Sequence, residues 1–161
     1  MIAIRKSRPE DEDAIWDIIR KVIASGDTYV FDPKSTREDM LAFWCSKDKH
    51  TYVATIDDRV VGTFIIKDNH PGLGSHIANA AYMTAPEARG LGVGKTMGLY
   101  SIEEARKLGY RAMQFNIVVA SNTNAVNLWK KIGFEIIGEI PEAFNHQTNG
   151  YTNAYIMYRR L

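Results

Sequence analysis

One stretch constrains this chain more than any other. HIANAAYMT (76–84) reads as a strand, EARGLGVGKT (87–96) follows it, and a helical pattern runs from about Gly92 to Leu108 with Gly109 as its stop. A strand that feeds a helix through alternating glycines points several backbone N–H groups at one spot, on the positive end of the helix dipole. Glycine lets a bulky anion approach the backbone closely, and Arg89 and Lys95 can add charge at the rim. The stretch therefore reads as a phosphate cradle, and the question is whose phosphate.

Two common answers fail on spacing. A P-loop needs Gly, four residues, then Gly-Lys-Thr; counting back from Gly94, the required glycine falls on Arg89. A dinucleotide fingerprint starting at Gly90 needs glycine at Lys95, and one starting at Gly92 needs it at Met97. There is also no second βαβ half to hold the rest of a dinucleotide. What remains is an Arg, two residues, Gly, one residue, Gly: Arg89, Gly92, Gly94.

The rest of the chain supplies the frame. Met1–Lys6 alternates as a strand, and the acidic run Glu10–Asp13 suits a helix start, with apolar residues at helical spacing through about Ser25. After the loop GDTYVFDPKST (26–36), a second helix is expected over Arg37–Ser46. TYVATIDDRVVGTFIIKD (51–68) is a hairpin turning at Asp57-Asp58, followed by a loop over Asn69–Ser75. RAMQFNIVV (111–119) is a strand, SNTNAVNLWKKIG (121–133) a helix capped at both ends, and 134–140 and 152–160 two closing strands. The order β-α-α-β-β-β-α-β-α-β-β is that of a mixed α/β fold, read as a single domain over 1–161.

Composition narrows the functions. The net charge of +1 gives no broad field for nucleic acid or an acidic membrane. No apolar run approaches membrane-spanning length, and the charged N-terminus is unlike a signal peptide, so a cytoplasmic location is expected. Cys45, the one cysteine, sits in LAFWCSK on the apolar side of a helix, where a buried structural thiol is expected. No His/Cys/Asp spacing suggests a metal site. His76 and His146 are candidate bases near neutral pH, while His50 and His70 have no supporting context.

RGLGVG after YMTAPEA resembles the acetyl-CoA pyrophosphate loop of the GNAT superfamily of N-acetyltransferases. IRKSRPEDEDAI resembles that family's opening strand and first helix, and NTNAVNLWKKIGFEIIG its second signature. The resemblance implies a central sheet splayed between 78–84 and 112–119, with acetyl-CoA in the gap. By position, Tyr82, Met83 and Thr84 would bond the pantetheine through their backbone. Arg89, Gly90, Leu91, Gly92, Val93, Gly94 and Lys95 would wrap the pyrophosphate, and Asn122 would reach the pantetheine. A backbone N–H near Met83 would polarise the acetyl carbonyl while a substrate amine attacks directly.

One departure stands out. The family's helix motif commonly has Tyr, a proton donor to the departing thiolate, where this chain has Trp129. Indole N–H is too weak an acid for that role, so Trp129 is expected to wall the acetyl pocket. Asn79 and Asn116, amides in central strands, are candidates to orient the amine or hold a water at the splay. Tyr29, Phe31 and Asp32 lie where the family commonly builds the acceptor wall.

The ending IGEIPEAF, a Gly-Tyr loop and IMYRRL resembles members acting on amino-acid-like molecules, the phosphinothricin and proline-analogue types. The reading is an acetyl-CoA-dependent N-acetyltransferase for a small amine, without metal. Its rivals are an acetyl-CoA-binding sensor without turnover and an acetyltransferase for a protein amine. A homodimer is compatible with the aromatics near the C-terminus.

Overall fold

The computed structural model describes all residues, Met1–Leu161. Seven strands form one sheet in the order β1-β2-β3-β4-β5-β7-β6. They are β1 (Ile2–Lys6), β2 (His50–Ile56), β3 (Arg59–Asp68), β4 (Ile77–Thr84), β5 (Ala112–Val119), β6 (Glu135–His146) and β7 (Gly150–Arg160). Four helices flank it: α1 (Glu12–Ser25), α2 (Arg37–Trp44), α3 (Val93–Lys107) and α4 (Thr123–Lys131). No helix is long and apolar enough to cross a membrane.

The hairpin of β2 and β3 turns at Asp57 and Asp58, both at positive φ (49° and 62°). Two left-handed residues match the twist of the flanking strands, and Asp tolerates that conformation better than most. The acidic run before α1 does more than suit a helix dipole. Asp11 is buried and takes two bonds from the Arg5 guanidinium, at 2.7 and 2.9 Å, and one from the Arg8 N–H at 2.8 Å. It clasps β1 to the entry of α1, and these bonds hold its carboxyl below the usual range.

β4 and β5 are the only parallel neighbours, and they pair at just two positions, Ile77 with Ala112 and Ala78 with Met113. Beyond Ala78 they separate. A bulge in β5 accompanies the split: Phe115 faces Met157 and Val118 faces Tyr155, so β5 carries one extra residue against β7.

The closing strands are longer than 134–140 and 152–160. They run to a turn at 147–149 and swallow the polar stretch 141–151 as a hairpin with two register shifts. Pro141 and the positive φ of Glu142 (50°) break the alternation that would have betrayed a strand. The tip folds back onto the fold: the Gln147 N–H donates to the Gly26 carbonyl, 3.2 Å, at the end of α1.

Candidate active site

The gap between β4 and β5 opens into a cavity of about 670 Å³, within the usual range for small-molecule sites. Its walls come from the end of α1 and the loop after it, from β4, from the first turn of α3, from β5 and from α4.

β4 sets the polarity of the gap. The Ala85 N–H donates to Val61 and the Ile77 carbonyl accepts from Asn69, both at 2.8 Å, so the odd-numbered residues turn their backbone towards β3. The His76 carbonyl accepts from Arg111 at 2.9 Å, and the Tyr82 N–H donates to the Tyr29 hydroxyl at 3.0 Å. The even-numbered residues therefore turn theirs towards β5 and the gap. Beyond the last rung, Ala80, Tyr82 and Thr84 present that backbone to the cavity they line. Met83 lines the cavity too, but the alternation commits its N–H to β3.

The glycine loop forms one end. α3 can start beside β4 because Gly62 has no side chain; a Cβ there would lie 2.9 Å from Val93 and Met97. Gly92 caps α3 at φ 82°, a conformation open to glycine at little cost. No side chain caps the first-turn amides of α3. Arg89 and Lys95, in no ion pair with another side chain, stand at the rim as exposed residues lining the cavity. Gly90, Gly92, Val93 and Gly94 line this end as well, whereas Leu91 is exposed and does not. Free amides, two cations and no carboxylate suit a pyrophosphate.

An aromatic wall lies behind. Trp129 is buried against Tyr82 and Phe115, with ring centroids 4.8 and 4.7 Å away. The Tyr82 hydroxyl is turned to that side, 2.6 Å from Ser101 Oγ, whose own proton goes to the Gly98 carbonyl at 2.7 Å. Asn122 lines the cavity from the start of α4, where its side-chain oxygen accepts from the Ala125 N–H at 3.3 Å. Asn124, two residues along, lines it as well.

At the other end, the loop after α1 brings in Asp27, Thr28 and Tyr29. The Tyr29 hydroxyl is bonded to Tyr82 on both counts, accepting from its N–H and donating to its carbonyl. Burial raises its pKa to about 12. Asp27 is the only carboxylate lining the cavity, and the Ser25 hydroxyl donates to it at 2.5 Å. Neither Phe31 nor Asp32 lines it. Phe31 packs edge-on against Phe43, 5.6 Å between centroids, and Asp32 caps its own turn by accepting from the Lys34 N–H at 2.8 Å.

The two asparagines sit elsewhere. Asn79 Nδ2 donates to the Gln114 carbonyl at 2.9 Å, supplying a side-chain rung just past the last backbone pairing. Asn116 lies on the β5 bulge, exposed, bonded to Asn69 at 2.8 Å and Gln114 at 3.0 Å. Neither lines the cavity. His146 organises the hairpin tip, its Nδ1 accepting from the Thr148 and Asn149 N–H groups, both at 3.1 Å. His76 is exposed at the closed end of the gap. Cys45 lies outside the cavity and is only half-buried, because it caps the end of α2 rather than sitting within its apolar face. No cluster of three or more His, Cys, Asp or Glu side chains could hold a metal ion.

Sequence reasoning missed Asp27. Its signal was faint: a single acid directly after the glycine that ends α1. Only the return of the loop over the gap gives it meaning.

Comparison with known proteins converges on one family. The model of the acetyltransferase (GNAT) family matches residues 16–134. The N-acetyltransferase aca1 of Schizosaccharomyces pombe is 30% identical, over 94% of this chain and 80% of its own. A GCN5-related N-acetyltransferase from Kribbella flavida is 40% identical, superposing with a TM-score of 0.95 over 99% of this chain and 98% of that one. A phosphinothricin acetyltransferase from Sinorhizobium meliloti, solved in complex with AcCoA, is 19% identical and shares the fold, with a TM-score of 0.88 over 99% and 88% of the two chains.

Proposed function

We propose, from the premise that this chain belongs to the acetyltransferase (GNAT) family, that it moves an acetyl group from acetyl-CoA to the amine of a small, amino-acid-like molecule. When bound, acetyl-CoA supplies the acetyl group already activated as a thioester. Everything else falls to the chain's own residues.

Arg89, Lys95 and the free amides at the start of α3 would hold the pyrophosphate. The gap-facing backbone of Thr84 would pair with the pantetheine, and the Tyr82 N–H would donate to the acetyl carbonyl oxygen. The alternation along β4, which turns the Tyr82 N–H rather than that of Met83 to the gap, supports this choice of donor. Trp129 closes the back of the acetyl pocket and excludes water. Asp27 would draw in the acceptor as its ammonium and align the nitrogen with the acetyl carbon; the amine attacks after losing one proton to solvent, a second proton leaves as the amide forms, and CoA departs as the thiolate. Positioning and a preorganised donor supply the rate, without a protein nucleophile.

A small acceptor is favoured by one observation. The tip of the β6–β7 hairpin is hydrogen-bonded onto the end of α1, next to Asp27. That contact ties the hairpin to the loop that carries Asp27, and a tip held there would crowd a peptide more than a small amine.

The test is release of CoA thiol across a panel of free amino acids, their phosphinic and cyclic analogues, polyamines and a lysine peptide. Turnover on a small amine with little on the peptide is expected. Preference for the peptide would reverse the substrate assignment. Binding of acetyl-CoA without turnover on any amine would favour a sensor, the reading that Trp129 alone supports.

A further inference from the structure

The Tyr29 hydroxyl occupies the position where a polarised carbonyl oxygen would have to sit. It is 3.0 Å from the Tyr82 nitrogen and also donates to the Tyr82 carbonyl. These are backbone groups of an even-numbered β4 residue, beyond the last rung with β5. A hydroxyl both accepts and donates. An oxygen arriving at the Tyr82 N–H needs the Tyr29 oxygen to yield, and the Tyr29 proton is then free to turn onto the newcomer.

We propose that Tyr29 is a catalytic residue: its hydroxyl is the second hydrogen-bond donor to the acetyl carbonyl oxygen, beside the Tyr82 N–H. The inference rests on the reading of the gap as the acetyl-CoA site.

Three observations carry it. The ring is held from behind, stacked on Phe31 at 6.1 Å, which is itself braced edge-on against Phe43 at 5.6 Å. With the ring braced there, the hydroxyl that gives up the Tyr82 N–H stays within reach of the oxygen that replaces it, so the move is complete before the chemical step. Tyr82 is the other tyrosine lining the cavity, and its hydroxyl is spent on Ser101 on the opposite side. Trp129 stands on that same side and packs at a tilt against Tyr82. The enclosed Tyr29 phenol, with its pKa pushed up to about 12, keeps its proton throughout the neutral range. It is therefore a neutral donor suited to oxyanion stabilisation rather than an acid that gives its proton away.

The test needs no acceptor amine. Acetyl-CoA labelled with ¹³C at the carbonyl is bound to the wild-type protein and to Tyr29→Phe, and the carbonyl stretch is read by infrared difference spectroscopy. In the wild type the band should move to lower frequency than in water. In Tyr29→Phe roughly half of that displacement should vanish while the Kd for acetyl-CoA changes little. In steady state kcat should fall about 100-fold, the usual loss for one such donor, with KM for the amine nearly unchanged. A fluorinated tyrosine at position 29 keeps the shape and donates more strongly, so it should displace the band further. Full displacement retained in Tyr29→Phe, or tighter acetyl-CoA binding with unchanged kcat, overturns the inference and leaves Tyr29 as a place-holder. No displacement in the wild type overturns the thioester's placement at Tyr82, and the Tyr29 role with it.

Discussion

Gly94 is the second residue of α3, with an ordinary helical φ. A methyl group there would meet only Leu128 Cδ2 at 3.7 Å and Thr84 Oγ1 at 4.0 Å, normal van der Waals contacts. Alanine is better than glycine inside a helix by about 1 kcal/mol, and in the first turn roughly half of that is expected. Gly94→Ala should therefore stabilise the cofactor-free protein by about 0.5 kcal/mol, raising Tm by roughly 1–2 °C for a chain of this size. The same methyl projects between Thr84 and Leu128, two residues that line the cavity beside the glycine loop. Close approach of pyrophosphate to the backbone would be blocked, and acetyl-CoA should bind at least tenfold more weakly, about 1.4 kcal/mol. Thermal unfolding without ligand and calorimetric titration with acetyl-CoA give the two numbers. A more stable variant with undiminished affinity would refute the phosphate cradle. A variant destabilised by more than about 1 kcal/mol would refute the packing argument, since ordinary contacts carry no such penalty.

Asp27→Asn should raise KM for the amine about tenfold or more and leave acetyl-CoA affinity unchanged, because Asp27 is the one carboxylate lining the cavity and the proposed function gives it to the acceptor; steady-state kinetics with either substrate varied reads the split. Asn79→Ala should cost about 1–2 kcal/mol in urea unfolding, leaving the Gln114 carbonyl short of a partner, with turnover kept; exposed Asn116→Ala should change neither. Asp11→Asn should lose about 1–2 kcal/mol at pH 7, given that Arg5 is partly solvated. The sign with pH follows from the depressed carboxyl: its stabilisation is complete above the unfolded-state pKa near 4 and disappears as pH falls through the lower folded value. Urea midpoints measured from pH 5 downwards should therefore fall more steeply for the wild type than for Asp11→Asn.

The elements that position the cavity were legible because local chemistry specifies them. The Asp57-Asp58 turn, the Gly92 cap and the apolar stripe of α1 each need only neighbouring residues. The glycine loop was legible for the same reason. Positions that depend on two distant segments were harder. Asn116 looks like an inward strand residue until the β5 bulge breaks the alternation and turns it to solvent. Asn79 is polar in a strand because a side chain must replace a rung where β4 and β5 part. The hairpin of β6 and β7 hides in a stretch rich in Pro, Asn and Gln, since a strand on the sheet's edge carries little periodic apolar signal. That the gap-facing N–H beside Met83 belongs to Tyr82 emerges only when parity along β4 is counted from its bonded neighbours.

The proposed function requires direct transfer from the gap to an amine, with no acetyl group passing through the protein. Carbonyl-¹³C acetyl-CoA mixed with the enzyme and its best small amine can be followed by NMR, with intact-protein mass measured in parallel. The expected result is loss of the thioester resonance matched one for one by a new amide resonance on the amine, the protein's mass unchanged throughout. Label accumulating on the protein, or appearing as acetate without any amide, would contradict the account.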